Sequence, residues 1–276
     1  MSDQLKDFSK LCIHTISNKP WDIDKCIRKY SDAGIKGVTV WRELLAGKNI
    51  RKVGNLITDS GLTAVSLSRG GFFVAEGKKD RLSKIENNKR IIDEASELRT
   101  PLIVLVCGAD PAVHLEDAGK QIFDGISAIL PYAEERGVKL GIEPLHPMYA
   151  DTRSAVNTLK QANDICEKIN SPYIGVIVDV YHLWWDPELE KEIERCGHGN
   201  KIFAFHISDW KTPTEDLLND RGLMGEGCIP IKKIRILIEK AGFNGFNEVE
   251  IFSNRYWAQD QDEFLKKIKE SYLKHC

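Results

Sequence analysis

The sequence lacks a strong charge excess and a long apolar run. Among its 276 residues, 39 lysines and arginines stand against 41 aspartates and glutamates, which leaves a formal net charge of −2. A protein that binds nucleic acid without sequence preference needs a strong basic excess, so we expect no nucleic-acid partner. No apolar run approaches the roughly 20 residues that a helix needs to cross a bilayer, so we expect no membrane partner either.

Several common catalytic and cofactor motifs are also missing. The seven cysteines are scattered and form no C-x-x-C pair, which favours free thiols in a reducing compartment. The chain has no G-x-G-x-x-G after its first apolar run, no P-loop and no G-x-S-x-G element, which argues against the usual nucleotide sites and an α/β-hydrolase. Residues 1–10 have neither an apolar stretch nor a small-residue cleavage site, so we expect no signal peptide and a cytoplasmic protein.

Eight short apolar runs recur from one end of the chain to the other. The runs are continuous rather than alternating, as in LIVLVC and IGVIVD. This pattern is typical of parallel strands that are buried on both faces of a sheet. It predicts eight β-strands, at residues 11–16, 37–41, 63–68, 102–107, 139–143, 173–179, 202–207 and 247–252.

An amphipathic stretch follows each of these runs. The stretches predict helices at residues 23–33, 50–60, 81–98, 115–136, 154–169, 187–196, 231–241 and 262–273. Asp22 and Asp151 suit the starts of the first and fifth helices. Eight strand–helix pairs without a break in composition predict an α/β protein with one (β/α)8 TIM-barrel domain over residues 1–276. A doubly wound open sheet is the alternative fold. The missing G-x-G-x-x-G motif argues against nucleotide binding, which is the usual function of such a sheet.

Two connections that follow predicted strands are too long to be plain linkers. They span residues 69–80 and 208–229. Connections after strands lie on the C-terminal face of a barrel, so we expect these two to be lids or walls of a substrate site. Phe72 and Phe73 in the first connection suit a lid or a subunit interface.

Four consecutive predicted strands end in a residue that can bind a metal ion. These residues are Glu143, Asp179, His206 and Glu250. The strand ends of a closed barrel converge on one opening, and three carboxylates so close together repel one another unless a cation lies between them. Carboxylate oxygens with one imidazole suit a divalent ion such as Mn²⁺, Mg²⁺, Co²⁺ or Zn²⁺. One acidic residue at a strand end is usually a cap or an ion-pair partner, but four on successive strands predict a metal site.

The same residues and their neighbours resemble the xylose isomerase-like TIM barrels. The stretches IEPLHPMYADTRS, HISDW and VEIF carry the resemblance, which extends strand by strand over nearly the whole chain. Within this superfamily, the chain most resembles ketose 3-epimerases of the tagatose/psicose type, hydroxypyruvate isomerase and inosose dehydratase. It also resembles proteins described as sugar phosphate isomerases/epimerases. These motifs are specific for the superfamily and do not define a substrate.

The resemblance implies roles for five residues. Glu143, Asp179, His206 and Glu250 would bind one divalent metal ion. Glu143 and Glu250 would also be catalytic and would move protons on opposite faces of the sugar. His182, three residues after Asp179, matches a histidine that contacts the substrate. Dimers or tetramers are usual in this family, so the resemblance also implies a homo-oligomer.

Two positions depart from the epimerase pattern. The epimerases carry an arginine six residues after the metal-binding histidine and a glutamate six residues after the first metal-binding glutamate. This chain has Thr212 and Tyr149 at those positions. Arg221 is a candidate to replace the missing arginine. The contacts to the substrate oxygens therefore differ, which argues against a simple free ketohexose as substrate.

Four further residues near predicted strand ends are candidates for substrate binding. They are His14, Trp41, Arg69 and His146. Trp41 suits a wall on which a sugar stacks, and Arg69, followed by two glycines, suits a tight turn that presents a guanidinium. Each candidate also has an ordinary structural explanation, as a core histidine, a barrel-closing tryptophan or a solvated arginine.

Two acidic residues near the expected ligands leave alternatives open. Glu248 lies two residues before Glu250, so both side chains point to the same face of the strand. Glu248 is therefore an alternative ligand, although Glu250 is nearer the strand end and better matches the family. Asp209, three residues after His206, suits either a hydrogen bond to the imidazole or a cap in the following loop.

These residues predict an enzyme that removes a proton beside a carbonyl group. A metal-bound carbonyl stabilises the enediolate intermediate, one carboxylate removes the proton and a second group returns one. Return to the same carbon is epimerisation, and return to the neighbouring carbon is aldose–ketose isomerisation. We therefore predict a divalent-metal-dependent isomerase or epimerase of a sugar or keto-sugar. Loss of a β-oxygen would instead make a dehydratase or lyase on a keto-inositol or 3-keto-glycoside.

Two other functions explain the residues less well. Endonuclease IV, a DNA-repair enzyme of the same superfamily, uses three metal ions and many more histidines than the seven dispersed ones of this chain. A non-catalytic sugar-binding barrel would not need four metal-capable residues. The expected partner is therefore a small-molecule carbohydrate substrate.

Overall fold

Eight parallel strands close into a barrel, and two short strands form a hairpin beside it. The computed structural model describes residues 4–276. Its strands are β1 Leu11–His14, β2 Gly37–Trp41, β3 Thr63–Gly71, β4 Leu102–Val106, β5 Lys139–Glu143, β6 Ile174–Asp179, β7 Ile202–Ile207, β8 Asp209–Trp210, β9 Arg221–Gly222 and β10 Asn247–Val249. The order around the barrel is β1–β10–β7–β6–β5–β4–β3–β2. The predicted (β/α)8 TIM-barrel fold is confirmed.

The barrel strands are buried because helices cover their outer face and side chains fill the interior. Every residue of β4 and of β6 is buried, which explains their continuous apolar sequences. The helices are α1 Ile23–Asp32, α2 Ile50–Asp59, α3 Lys78–Leu98, α4 Leu115–Glu135, α5 Leu159–Ile169, α6 Val180–Leu183, α7 Leu189–His198, α8 Ile231–Lys240, α9 Asn254–Trp257 and α10 Gln261–His275. Within residues 4–276, none of these helices combines the length and apolar character that a membrane span requires.

Capping side chains decide where two of the helices begin. Asp22 accepts a hydrogen bond from the Lys25 backbone N–H at 2.8 Å, so its predicted role at the start of α1 is confirmed. The prediction that a helix begins at residue 154 is wrong, because Thr158 and Gln161 form a capping box that starts α5 at Leu159. Asp151 lies in a turn before that cap, so its predicted role is wrong as well.

The first long connection begins later than the sequence indicates, because β3 continues through Gly71. The backbone of Gly71 has φ +100°, and a Cβ there would lie 2.1 Å from the Val106 carbonyl oxygen. The Asn88 side chain accepts from the Gly71 N–H and donates to its carbonyl, both at 2.7 Å. Arg69 therefore lies within β3, two residues before its end, rather than in a tight turn. Phe73 is buried against Gly125 and belongs to the core, not to a lid or an interface.

The second long connection folds back over the barrel mouth. Its ends pair as the antiparallel hairpin β8–β9, which brings Arg221 opposite Trp210. The Asp209 carboxylate accepts the backbone N–H groups of Trp210, Gly225 and Ile229 at 2.9 to 3.0 Å. Of the two roles considered for Asp209, the structure shows the loop cap. The connection contributes Leu218 and Asn219 to the wall of a cavity.

Candidate metal centre

The four expected ligands converge at the C-terminal mouth of the barrel. One nitrogen or oxygen atom from each of Glu143, Asp179, His206 and Glu250 lies within 4.8 Å of all the others. Glu143 and Asp179 end β5 and β6, His206 lies in β7, and Glu250 follows β10. Adjacent parallel strands end side by side, which explains why residues 107 positions apart meet. All four side chains are buried, with at most 4% of any residue exposed.

Buried charges of opposite sign hold this cluster together. His206 Nδ1 lies 2.8 Å from Glu143 Oε1. Burial opposes a charge on His206, but the hydrogen bond to Glu143 and the charges of Glu248, Glu143 and Glu250 raise its pKa to about 10. Burial raises the pKa of Asp179 to about 7, although the charge of Arg221 works against this shift. Without a proton on His206 or Asp179, the negative charge of the three carboxylates therefore exceeds the positive charge of Arg221.

Arg221 reaches this cluster from the β8–β9 hairpin. Its Nη1 lies 2.7 Å from Glu250 Oε2 and 3.1 Å from Asp179 Oδ2, and its Nη2 lies 3.0 Å from His182 Nε2. Burial would raise the pKa of Glu250, but the charges of Arg221 and His14 hold it well below its usual range. Among residues 4–276, Glu143 pairs with His206 and with no lysine or arginine. Arg221 thus neutralises only part of the carboxylate charge of the cluster.

The donor set fits a divalent metal ion. Three carboxylates and one imidazole come from four separate strands, and they outnumber the single guanidinium beside them. Oxygen-rich sites with one imidazole suit the divalent ions expected from the sequence. A bound ion would replace the proton on His206 Nδ1, because a ligating ring nitrogen must be deprotonated.

Glu248 lies behind His206, on the side away from the four-residue cluster. Its Oε2 is 3.7 Å from His206 Nε2, 3.3 Å from His14 Nε2 and 2.5 Å from Thr39 Oγ1. His206 Nε2 is buried without a hydrogen-bond partner in the described part of the chain. With Nδ1 on a metal ion, the ring would carry its proton on Nε2, and Glu248 is placed to orient and polarise it. Of the two glutamates considered as ligand, Glu250 lies in the four-residue cluster, whereas Glu248 lies in a second group of metal-capable residues with His14 and His206.

Replacing Glu248 by glutamine is expected to weaken metal binding by about 10- to 100-fold, because a ligating histidine loses its charged partner. Titration of the metal-free protein with Zn²⁺ or Mn²⁺ by calorimetry measures the change. Glu135→Gln, on the exposed face of α4, is the matched control. An unchanged affinity in a correctly folded Glu248→Gln protein would show that Glu248 does not act through His206.

A cavity of about 440 Å³ opens above the cluster. Trp41, Arg69 and Phe252 line it. Trp41 Nε1 lies 3.3 Å from His14 Nδ1, which in turn lies 3.0 Å from Glu250 Oε1. The Phe252 ring centre is 5.1 Å from Arg221 Cζ. None of the four expected ligands lines the cavity; they lie beneath its wall residues Trp41 and Phe252.

The structure sorts the expected substrate-binding residues into three groups. Trp41 and Arg69 line the cavity. His14, His182 and Arg221 are buried within the cluster, where each contacts at least one expected ligand. His146 is not brought to the cavity wall. Its ring packs against the rings of Trp210 and Trp185, with centres 5.0 and 5.7 Å apart, and its backbone N–H donates to His182 Nδ1.

Sequence analysis missed two basic residues of the cavity wall. They are Lys19, which follows the 3-10 helix after β1, and Arg153, in the turn before α5. Neither lies at a predicted strand end; Arg153 lies within the stretch IEPLHPMYADTRS, but the resemblance assigns it no role. A search for basic residues in every connection on the C-terminal face could have found both.

A profile of the xylose isomerase-like TIM barrel family matches residues 27–268. The chain belongs to this family. Among its curated relatives, the inosose isomerase of Bacillus velezensis is 24% identical over 278 residues, which cover 95% of each chain. The 3-dehydroshikimate dehydratase of Pseudomonas putida is 30% identical over 237 residues, which cover 82% of this chain and 35% of that one. The family thus includes isomerases and dehydratases.

Two solved structures share this fold. Protein SMc04130 from Sinorhizobium meliloti 1021 superimposes with a TM-score of 0.95 at 41% identity, over 98% of this chain and 99% of that one. The IolI protein, solved with a zinc atom bound, gives a TM-score of 0.83 at 21% identity, over 95% and 96% of the two chains. At that identity, the likeness to IolI shows the shared fold alone.

Proposed function

We propose that the protein is a divalent-metal-dependent isomerase or epimerase of a sugar or keto-sugar. The convergence of Glu143, Asp179, His206 and Glu250 under one cavity carries the proposal. Zinc in the structure of IolI and the isomerases and dehydratases among the relatives support it. The four residues would hold the ion, and Mn²⁺, Mg²⁺, Co²⁺ and Zn²⁺ all suit them. When bound, such an ion supplies Lewis-acid stabilisation of negative charge on a substrate oxygen.

Glu143 is the better placed of the two glutamates to remove a proton. Its Oε1 faces His206, while its Oε2 has no partner in the part of the chain that the structure describes. Both oxygens of Glu250 are occupied, Oε1 by His14 and Oε2 by Arg221. A carboxylate with a free oxygen can approach a C–H bond, whereas one held by two cations is a weaker base. We therefore assign proton removal to Glu143 and proton return to Glu250.

Buried polar residues around Glu250 would hold and orient the substrate oxygens. His182 is buried beside Arg221, and burial together with the Arg221 charge lowers its pKa well below the usual range. A neutral imidazole there can exchange hydrogen bonds with a hydroxyl group without adding charge. The surrounding Trp41 and Phe252 rings, 5.0 Å apart between centres, limit the access of water.

A dehydratase on a keto-inositol or 3-keto-glycoside is the second candidate. The 30% identity to a 3-dehydroshikimate dehydratase over 237 residues favours it. The first step, removal of a proton beside a carbonyl by Glu143, is the same. The outcome differs only in whether the second step returns a proton to carbon or expels a β-oxygen.

Incubation of the metal-loaded and the chelator-stripped protein in D₂O with ketoses, keto-inositols and 3-keto-glycosides tests the proposal. We expect deuterium incorporation beside the carbonyl of at least one compound, and only with metal present. Mass spectrometry separates the two candidates, because an elimination loses water or alcohol. Exchange that proceeds equally well after metal removal contradicts the metal-dependent mechanism.

A further inference from the structure

Two arginines from distant parts of the chain share one wall of the cavity. Arg69 lies near the end of β3, and Arg153 lies in the turn before α5. Both side chains line the cavity and both are half-buried. Burial and the neighbouring charge of Arg69 lower the pKa of Arg153. Two positive charges thus share the wall of one cavity in a partly dehydrated place, where they repel each other.

Neither guanidinium has an acidic partner among residues 4–276. The contacts of Arg69 are with the Trp41 and Phe72 rings, at 5.2 and 5.3 Å from Cζ, and Arg153 Cζ lies 5.6 Å from the Tyr149 ring centre. Two other partly buried arginines, Arg42 and Arg195, are paired with carboxylates. Arg195, for example, bonds Glu167, Asp164 and Glu192. Two unpaired guanidiniums on the wall of one cavity favour the binding of an anion.

The remaining charged residues of the cavity wall are Lys19 and Glu43. Lys19 lies 4.3 Å from the Trp257 ring centre and adds a third positive charge. Glu43 forms no ion pair with the arginines in the described structure, and because Glu43 and Lys19 are both exposed, water and salt screen both charges and leave the two half-buried arginines in excess. The cavity therefore has a net positive wall, although the chain as a whole has a net charge of −2.

Tyr149 supports this positive wall from outside the cavity lining, through its contact with Arg153. Its ring supports Arg153, and it stands where the epimerase pattern has a glutamate. A carboxylate at this position would give Arg153 an acidic partner and would cancel much of the charge. The departure from the epimerase pattern and the unpaired arginines thus have one explanation, which is a substrate that brings its own negative charge.

We infer that the substrate is an anionic carbohydrate, whose carboxylate or phosphate group is bound by Arg69 and Arg153 while its carbonyl end is directed toward the metal-ligand cluster beneath Trp41 and Phe252. This inference rests on the proposed function and adds the substrate class to it. The planar, forked guanidinium matches either anion with paired hydrogen bonds. Trp41 connects the two ends, because its ring packs against Arg69 and its Nε1 contacts His14.

Calorimetric titration of the metal-loaded protein with matched pairs of probes tests this inference. The pairs are D-glucuronate with D-glucose, and D-fructose 6-phosphate with D-fructose. In at least one pair we expect the anion to bind about 10-fold or more tightly than its neutral partner. The pair that shows the difference distinguishes a carboxylate from a phosphate.

Variants of the two arginines connect this preference to the site. Arg69→Gln and Arg153→Gln are each expected to weaken binding of the preferred anion by about 10-fold, without changing the affinity for its neutral partner. Lysine at either position should restore part of the loss, because the charge is kept. Arg28→Gln, on the exposed face of α1, is the control. An unchanged metal affinity shows that the variants fold.

Equal or undetectable binding within both pairs overturns the inference, as does an anion preference that survives in both glutamine variants. Its failure is distinct from a failure of the proposed function. Metal-dependent proton exchange on neutral ketoses, unaffected by loss of both arginines, would leave the proposed function standing without the anion site. Loss of metal dependence would remove the proposed function whatever the anion preference.

Discussion

Glu143→Gln is expected to slow proton exchange between substrate and solvent by about 10²- to 10⁴-fold, the usual contribution of a positioned general base. Glutamine has nearly the same size and retains a carbonyl oxygen that can bind a metal ion, but it has no basic carboxylate. The Oε2 atom that is free in Glu143 would become part of an amide. NMR detection of deuterium incorporation, with whichever compound the wild-type protein exchanges, measures the loss.

The metal content of the variant separates the two roles of Glu143. Equal metal content with lost exchange identifies Glu143 as the base, whereas lost metal explains lost exchange without a base. Glu135→Gln makes the same substitution at an exposed position, and this variant should exchange the substrate proton at the wild-type rate. Unimpaired exchange by metal-loaded Glu143→Gln would remove Glu143 from proton transfer and would point to Glu250.

Arg221→Met is expected to lower the free energy of unfolding of the metal-free protein by about 3–5 kcal/mol, as for other buried ion pairs that lose one partner. Arg221 is 3% exposed and contacts Asp179 and Glu250, which are 0% and 3% exposed. Methionine fills most of the volume but leaves the two carboxylates facing each other without the guanidinium. Chemical denaturation of chelator-treated protein measures the loss.

Metal addition should recover much of this loss, because a divalent ion neutralises the same carboxylates. Arg221→Lys keeps the charge and should be less destabilised than Arg221→Met. Arg28→Met, an exposed change on α1, should have little effect. A loss below about 1 kcal/mol in metal-free Arg221→Met would show that the guanidinium does not stabilise the cluster.

The barrel itself was predictable from the sequence because its strands are buried on both faces. In β4 and β6, apolar residues are continuous and do not alternate with polar ones, which directly predicts parallel strands. The boundaries were less predictable, because capping and pairing outside the repeat decide them. The apolar spacing of α5 continues upstream of Leu159, and only the Thr158–Gln161 capping box shows where that helix begins. Likewise, Asn88 extends β3 to Gly71 from a helix 17 residues away.

The four expected metal ligands were predictable from the sequence, whereas the residues that line the cavity were not. Ligand candidates stand at fixed places, the ends of successive strands, so Glu143, Asp179, His206 and Glu250 could be chosen before any coordinates. The choice between Glu248 and Glu250 needed the side chains, because both face the same way along one strand. Arg153 lies in a connection whose path depends on the whole barrel, and its approach to Arg69 has no local signal.

Metal stoichiometry tests the four-residue site most directly. Protein reconstituted with Zn²⁺ or Mn²⁺, dialysed and analysed by inductively coupled plasma mass spectrometry should contain one ion per chain. The Asp179→Ala/His206→Ala double variant should contain almost none, while Glu135→Gln should match the wild-type protein. A wild-type protein that retains no ion, or a double variant that retains a full equivalent, would contradict the metal centre and the chemistry assigned to it.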